Sequence, residues 1–155
     1  MNYIGIDVGN KGAICILDEK ANLIKFIDMK DFQIKMISYL IPKKIKVGIE
    51  KVHSMPKQGL VSTFNFGVNF GKILGIFETL EFQYELINPQ VWQREIIENS
   101  FYKDKSLSIK EKSILNARKL LKEKENLLLG KRGAYKDGRA DAFNIAYYMF
   151  LKDKK

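Results

Sequence analysis

The sequence predicts an α/β fold, a mixed five-stranded sheet flanked by helices. Three observations carry this. Residues 3–17 hold two apolar runs joined by a glycine-bracketed turn, and a third run follows at 23–27, so three antiparallel strands open the chain. Two later apolar runs, at 46–52 and 82–87, alternate with stretches of helical spacing. The C-terminal half then carries helix caps and helical periodicity. Strands interleaved with helices in this order form a sheet covered by helices.

The first run, Tyr3-Ile4-Gly5-Ile6-Asp7-Val8, is nearly all apolar, as in a strand buried on both faces. Asp7 breaks it. An ionised carboxylate in a buried strand is costly unless paired or holding a cation. Gly9 and Gly12 let backbone and ligand come close beside it. The alternative is that Asp7 ends the strand and caps the turn. Residues 18–22 read as a hairpin turn into the third strand. Residues 31–41 have helical spacing, with Asp31 as N-cap and Pro42 as stop.

The run at 46–52 carries a second acid, Glu50; as a parallel neighbour of the first strand it would set Glu50 beside Asp7. Residues 53–59 form a loop, and Ser62 or Thr63 caps a long helix ending near Leu80. Gly67, Gly71 and Gly75 recur on one face of that helix, which suits close core packing or, as the alternative, a dimer contact. After the strand at 82–87, Asn88-Pro89 starts a short helix with Trp92 as a core residue. Residues 100–106 read as a basic loop, and Ser108 with Glu111 forms a capping box for a basic helix ending near Lys124. A second basic loop occupies 127–133, and the last helix starts near Gly138.

At 155 residues the chain fits one domain, 1–155, with one core, and 46% hydrophobic content argues against disorder. A net charge of +9 favours a polyanionic partner. One cysteine and one histidine exclude a disulfide and a His/Cys zinc site. The sequence shows no signal peptide and no run approaching a membrane span, so the expectation is a cytoplasmic protein without a membrane partner.

Four acids stand where a site could form: Asp7, Glu50, Asp137 and Asp141. Asp141 lies among small residues, Ala140-Asp141-Ala142, so its helix can approach the sheet closely. Asp137 precedes Asp141 by one helical turn and shares its face, unless it serves as the N-cap of that helix. Packed carboxylates repel and need cations, and oxygen-only ligands suit Mg²⁺. Two such ions can activate water and stabilise the leaving oxygen of a phosphodiester.

In this order the motifs resemble the RuvC-like Holliday junction resolvases of the RNase H/retroviral-integrase superfold, phage-type branch. The resemblance runs through Gly5-Ile6-Asp7-Val8-Gly9 with Gly12-Ala13, Ile49-Glu50, Met55-Pro56-Lys57-Gln58-Gly59, Phe64-Asn65-Phe66-Gly67, Gly71-Lys72-Ile73-Leu74-Gly75, Pro89-Gln90-Val91-Trp92 and Lys136-Asp137-Gly138-Arg139-Ala140-Asp141-Ala142. It implies an RNase H-like nuclease domain that resolves four-way DNA junctions, with roles in recombination and repair. It implies that Asp7, Glu50, Asp137 and Asp141 are catalytic and bind two Mg²⁺ ions (Mn²⁺ as a substitute). It also implies a homodimer in which each subunit nicks one strand, leaving 5′-phosphate and 3′-hydroxyl ends. Bacterial members place the fourth ligand where this chain has Gly138, and an aromatic wedge where it has His53. His53 then stacks on a base or stands as a loop residue, and Lys110 or Lys112 lies near the scissile phosphate or faces solvent. Lys57, Lys72, Lys131, Arg132 and Arg139 are further candidates for DNA contact. Two other readings stay open: a non-catalytic branched-DNA-binding protein, and a nuclease for RNA–DNA hybrids or flaps.

Overall fold

A computed structural model describes residues 1–32, 44–51 and 59–155. Five strands form one sheet: β1 (Asn2–Ile6), β2 (Ala13–Leu17), β3 (Leu23–Asp28), β4 (Ile45–Glu50) and β5 (Tyr84–Ile87). Their order is β3-β2-β1-β4-β5. β1–β2 and β2–β3 pair antiparallel, whereas β1–β4 and β4–β5 pair parallel. The expected mixed five-stranded sheet is therefore present. The helix expected at 31–41 lies almost entirely outside the described residues; Asp31, its expected cap, closes a 3₁₀ turn over Met29–Asp31.

The helices are α1 (Leu60–Thr79), α2 (Pro89–Ile96), α3 (Asn99–Lys103), α4 (Ile109–Leu121) and α5 (Asp137–Lys154). Strand alternation sorts the core onto two faces. Ile4, Ile6, Ile14, Ile16, Val47 and Ile49 join Ile73 and Phe77 of α1 on one face. Tyr3, Cys15, Leu17 and Ile87 join Trp92 and the apolar side of α5 on the other. Gly5 and Gly48 face α5. A Cβ on Gly5 would lie 2.1 Å from the Ala142 carbonyl oxygen, so only glycine lets α5 lie directly on β1.

Several boundaries differ from expectation. α1 starts at Leu60 with Gly59 as N-cap, and Ser62 and Thr63 lie inside its first turn. Residues 100–103 of the loop expected at 100–106 belong to α3. α4 keeps its Ser108–Glu111 capping box but ends at Leu121, where Lys122 takes a positive φ of 52° and a 3₁₀ segment follows. Among the described residues Gly67, Gly71 and Gly75 do not serve core packing: a Cβ at each would meet none of them within 4 Å. Around them Leu60, Val61, Phe64 and Val68 are exposed. By length and composition α1 could cross a membrane, contrary to expectation; Ile73 and Phe77, buried against the sheet, tie it to the domain.

Candidate active site

The acids converge because three elements end or begin at one place. Asp7 follows β1 directly, and its N–H continues the ladder to the Ala13 carbonyl at 3.0 Å. Glu50 ends β4, one step beyond the Ile6–Ile49 pair, so the two acids are neighbours at the same end of adjacent parallel strands. Tyr3, Gly5 and Asp7 alternate onto one face, as do Gly48 and Glu50, and α5 covers that face. α5 begins at Asp137, with Lys136 as its N-cap. Asp137 is thus the first helical residue and shares a face with Asp141 one turn on. Gly138 closes the approach: its Cβ would lie 2.2 Å from the Lys11 carbonyl oxygen in the turn after Asp7.

Each carboxylate has its own donor. Asp7 Oδ1 accepts from the Gly9 N–H at 2.9 Å, so the turn-capping role is real and uses one oxygen. Glu50 Oε1 accepts from Trp92 Nε1–H at 3.1 Å. Asp137 Oδ2 pairs with Lys110 Nζ at 2.7 Å, and its Oδ1 accepts from the Gly138 N–H. Asp141 Oδ1 accepts from the Ser113 hydroxyl.

The acids share one electrostatic field. Burial, reinforced by the charge of Asp137, pushes Asp7 up to about 6 against the pull of the Gly9 N–H and Lys110. Burial and the Asp7 charge push Glu50 up to about 7, with Trp92 opposing. Asp141 is raised well above the usual carboxylate range by burial and by Asp7, Glu50 and Asp137, against its bond to Ser113. In Asp137 burial favours the neutral form, but the hydrogen bond and charge of Lys110 outweigh it and hold the carboxyl low. An oxygen-only donor set with this much mutual repulsion fits a hard divalent cation. The Lys110 ammonium already meets that demand at Asp137. Among the described residues no three such side chains stand close enough to hold an ion as they are placed. Four carboxylates repel, and each is drawn to its own donor.

The basic candidates fare differently. His53 and Lys57 lie outside the described residues. Lys72, Lys131 and Arg132 are exposed. Lys110 belongs to the site through Asp137, while Lys112 donates to the Tyr102 carbonyl at 2.8 Å and lies over that ring. Arg139 is part-exposed and committed to contacts within the chain. Its guanidinium grips Asp28 with two bonds, at 2.7 and 3.1 Å, and donates to the Leu127 and Leu129 carbonyls. Lys136 pairs with the same Asp28. Trp92 is the core residue the sequence suggests, but its bond to Glu50 lies beyond sequence reasoning, which also passes over the buried polar trio Ser113, Asn116 and Asn144. A polar residue at position 144, three after Asp141 in an otherwise apolar stretch, was the available signal.

No protein-family model matches the sequence, and no curated protein matches it. Solved structures do. Thermus thermophilus RuvC in complex with a Holliday junction substrate aligns at TM-score 0.65 and 15% identity, covering 99% of this chain and 96% of that one. Thermus thermophilus RuvC alone aligns at 0.63 and 15%, covering 99% and 97%. The chain therefore has the RuvC-like, RNase H-like fold along essentially its whole length.

Proposed function

We propose that this chain is a divalent-metal-dependent endonuclease that resolves four-way DNA junctions. The observation that carries the reading is that Asp7, Glu50, Asp137 and Asp141 share one field, where burial, reinforced by their mutual charge, holds three of them above the usual carboxylate range. Such a cluster disfavours phosphate on its own and favours it once neutralised, which suits catalysis and not simple binding. Likeness in fold to RuvC, solved with a Holliday junction, supports branched DNA as the substrate.

Asp7, Glu50, Asp137 and Asp141 would hold two Mg²⁺ ions, with Mn²⁺ as a substitute. Bound there, they would supply charge neutralisation and activation of water. The chain's own residues do the rest. Trp92 orients Glu50, Gly9 orients Asp7, and Lys110 stands at the mouth of the site, where its ammonium can pass from Asp137 to a scissile phosphate. Exposed Lys72, Lys131 and Arg132 serve backbone contact.

Two opposed nicks call for two copies. α1 offers the surface on which copies of a +9 chain can meet, since Lys72 and Glu78 are its only charged residues and Leu60, Val61, Phe64 and Val68 are exposed on it. The test is nicking of an immobile four-way junction beside linear duplex, flap and RNA–DNA hybrid, with Mg²⁺ or EDTA. Paired symmetric nicks confined to the junction and to metal are expected. Cutting of hybrid or flap in preference would reassign the substrate, and binding without cutting would leave a junction-binding protein.

A further inference from the structure

Asp141 ends a chain of hydrogen bonds whose direction is set at every link. The Glu98 N–H donates to Asn116 Oδ1 at 3.1 Å, which fixes that carboxamide. Asn116 Nδ2 then donates to Asn144 Oδ1 at 2.9 Å. Asn144, fixed in turn, donates from Nδ2 to the Ser113 carbonyl at 3.0 Å and to Ser113 Oγ at 2.9 Å. With its oxygen accepting, the Ser113 hydroxyl directs its one proton to Asp141 Oδ1. Ser113, Asn116 and Asn144 are all buried, at 1%, 3% and 0% exposure, in the seam between α4 and α5.

Three polar side chains are an expensive way to fill a helix–helix seam that Ala and Leu would pack. Two partners alone would satisfy each other; this relay instead runs, link by link, to one carboxylate, with a side branch from Asn144 to the Ser113 carbonyl. Asp141 Oδ2 takes no hydrogen bond from the described residues, so the relay occupies one oxygen and leaves the other.

We propose that Ser113, oriented by Asn144 and Asn116, is the positioning residue that sets which oxygen of Asp141 a divalent cation meets. This rests on the reading of Asp141 as a cation ligand. Ser113 touches neither cation nor DNA; it acts through the Asp141 rotamer. The seam between α4 and α5 thereby joins the α2–α3 junction, through Glu98, to the site.

The test uses the full chain as wild type, Ser113→Ala, Ser113→Thr and Asn116→Ala. The Asp141 carboxyl ¹³C resonance is followed in EDTA, Mg²⁺ affinity by calorimetry, and kcat and KM on the junction at fixed Mg²⁺. Ser113→Ala should move the Asp141 resonance, weaken Mg²⁺ roughly 10- to 100-fold and lower kcat, with KM for the junction unchanged. Ser113→Thr, which keeps the hydroxyl, should restore all three to within about threefold of wild type. Asn116→Ala should lie between, since it frees the relay two links away. An unmoved Asp141 resonance, or Mg²⁺ affinity equal to wild type in Ser113→Ala, would overturn the proposal. If Ser113→Thr does not fold, those two Ser113→Ala readouts still decide it. If the wild type neither binds Mg²⁺ nor nicks, the nuclease reading fails, and the metal-free resonance separately reports whether Ser113 positions Asp141.

Discussion

Replacing Asp7 with Asn should stabilise the metal-free protein while abolishing its nicking. In the folded chain burial and the neighbouring Asp137 hold this carboxyl at about 6, against an ordinary 3.8. A carboxyl raised on folding opposes the fold once it ionises. The penalty is fully present above the folded value and is relieved as pH falls from there toward the unfolded one. At about 1.4 kcal/mol per pH unit, the gap is worth about 3 kcal/mol near pH 8 and roughly half of that near pH 5. Asn keeps an Oδ1 acceptor for the Gly9 N–H, now bonded at 2.9 Å, and never ionises. The variant should therefore gain up to about 3 kcal/mol near pH 8, roughly 5–10 °C in Tm for a chain of this length. The assay is denaturation of both proteins in EDTA at the two pH values. A gain that shrinks toward low pH supports the cost of ionising this buried carboxyl beside Asp137 as the cause. An equal gain at both pH values, or a loss at both, would refute the reasoning.

Other consequences follow from the same geometry. Gly138→Ala puts a methyl 2.2 Å from the Lys11 carbonyl where ordinary contact begins at 3.4 Å. The start of α5 must move off the Asp7 turn, at a cost of about 1–3 kcal/mol in denaturant unfolding and with much of the nicking. Trp92→Phe removes the donor that opposes the upward shift of Glu50, so the rise of nicking rate with pH should move to higher pH. An unchanged profile would mean that Trp92 only packs. Arg139→Met should lower Tm by leaving Asp28 to Lys136 alone, while the salt dependence of junction binding stays as in wild type. Lys131→Ala or Arg132→Ala should each lower the slope of log affinity against log salt by about 1, with little change in Tm.

What the sequence makes legible follows from how local each signal is. Asp7 and Glu50 stand out because a carboxylate buried at the end of an apolar run is costly unless paired or holding a cation, and the parallel pairing of β1 with β4 sets them side by side as expected. The Asn88 cap and the Ser108–Glu111 box are complete within four residues, and both form. The glycine stripe of α1 is different. Spacing shows that three glycines share a face, but not whether that face meets the sheet or open space, and Ile73 and Phe77 take the sheet instead. Arg139 reads as a DNA contact until Asp28, more than a hundred residues earlier, is brought against it. The relay from Glu98 to Asp141 spans three elements, and no spacing within one helix discloses its direction.

The central claim is that the acid cluster cuts branched DNA. Its most direct test is single-turnover nicking of a four-way junction by wild type and Asp7→Asn in Mg²⁺, with junction binding by both measured in EDTA. Paired nicks from the wild type, none from the variant, and undiminished binding by the variant are predicted. Equal nicking by the two proteins, or no cutting by the wild type with any divalent ion, would contradict the account.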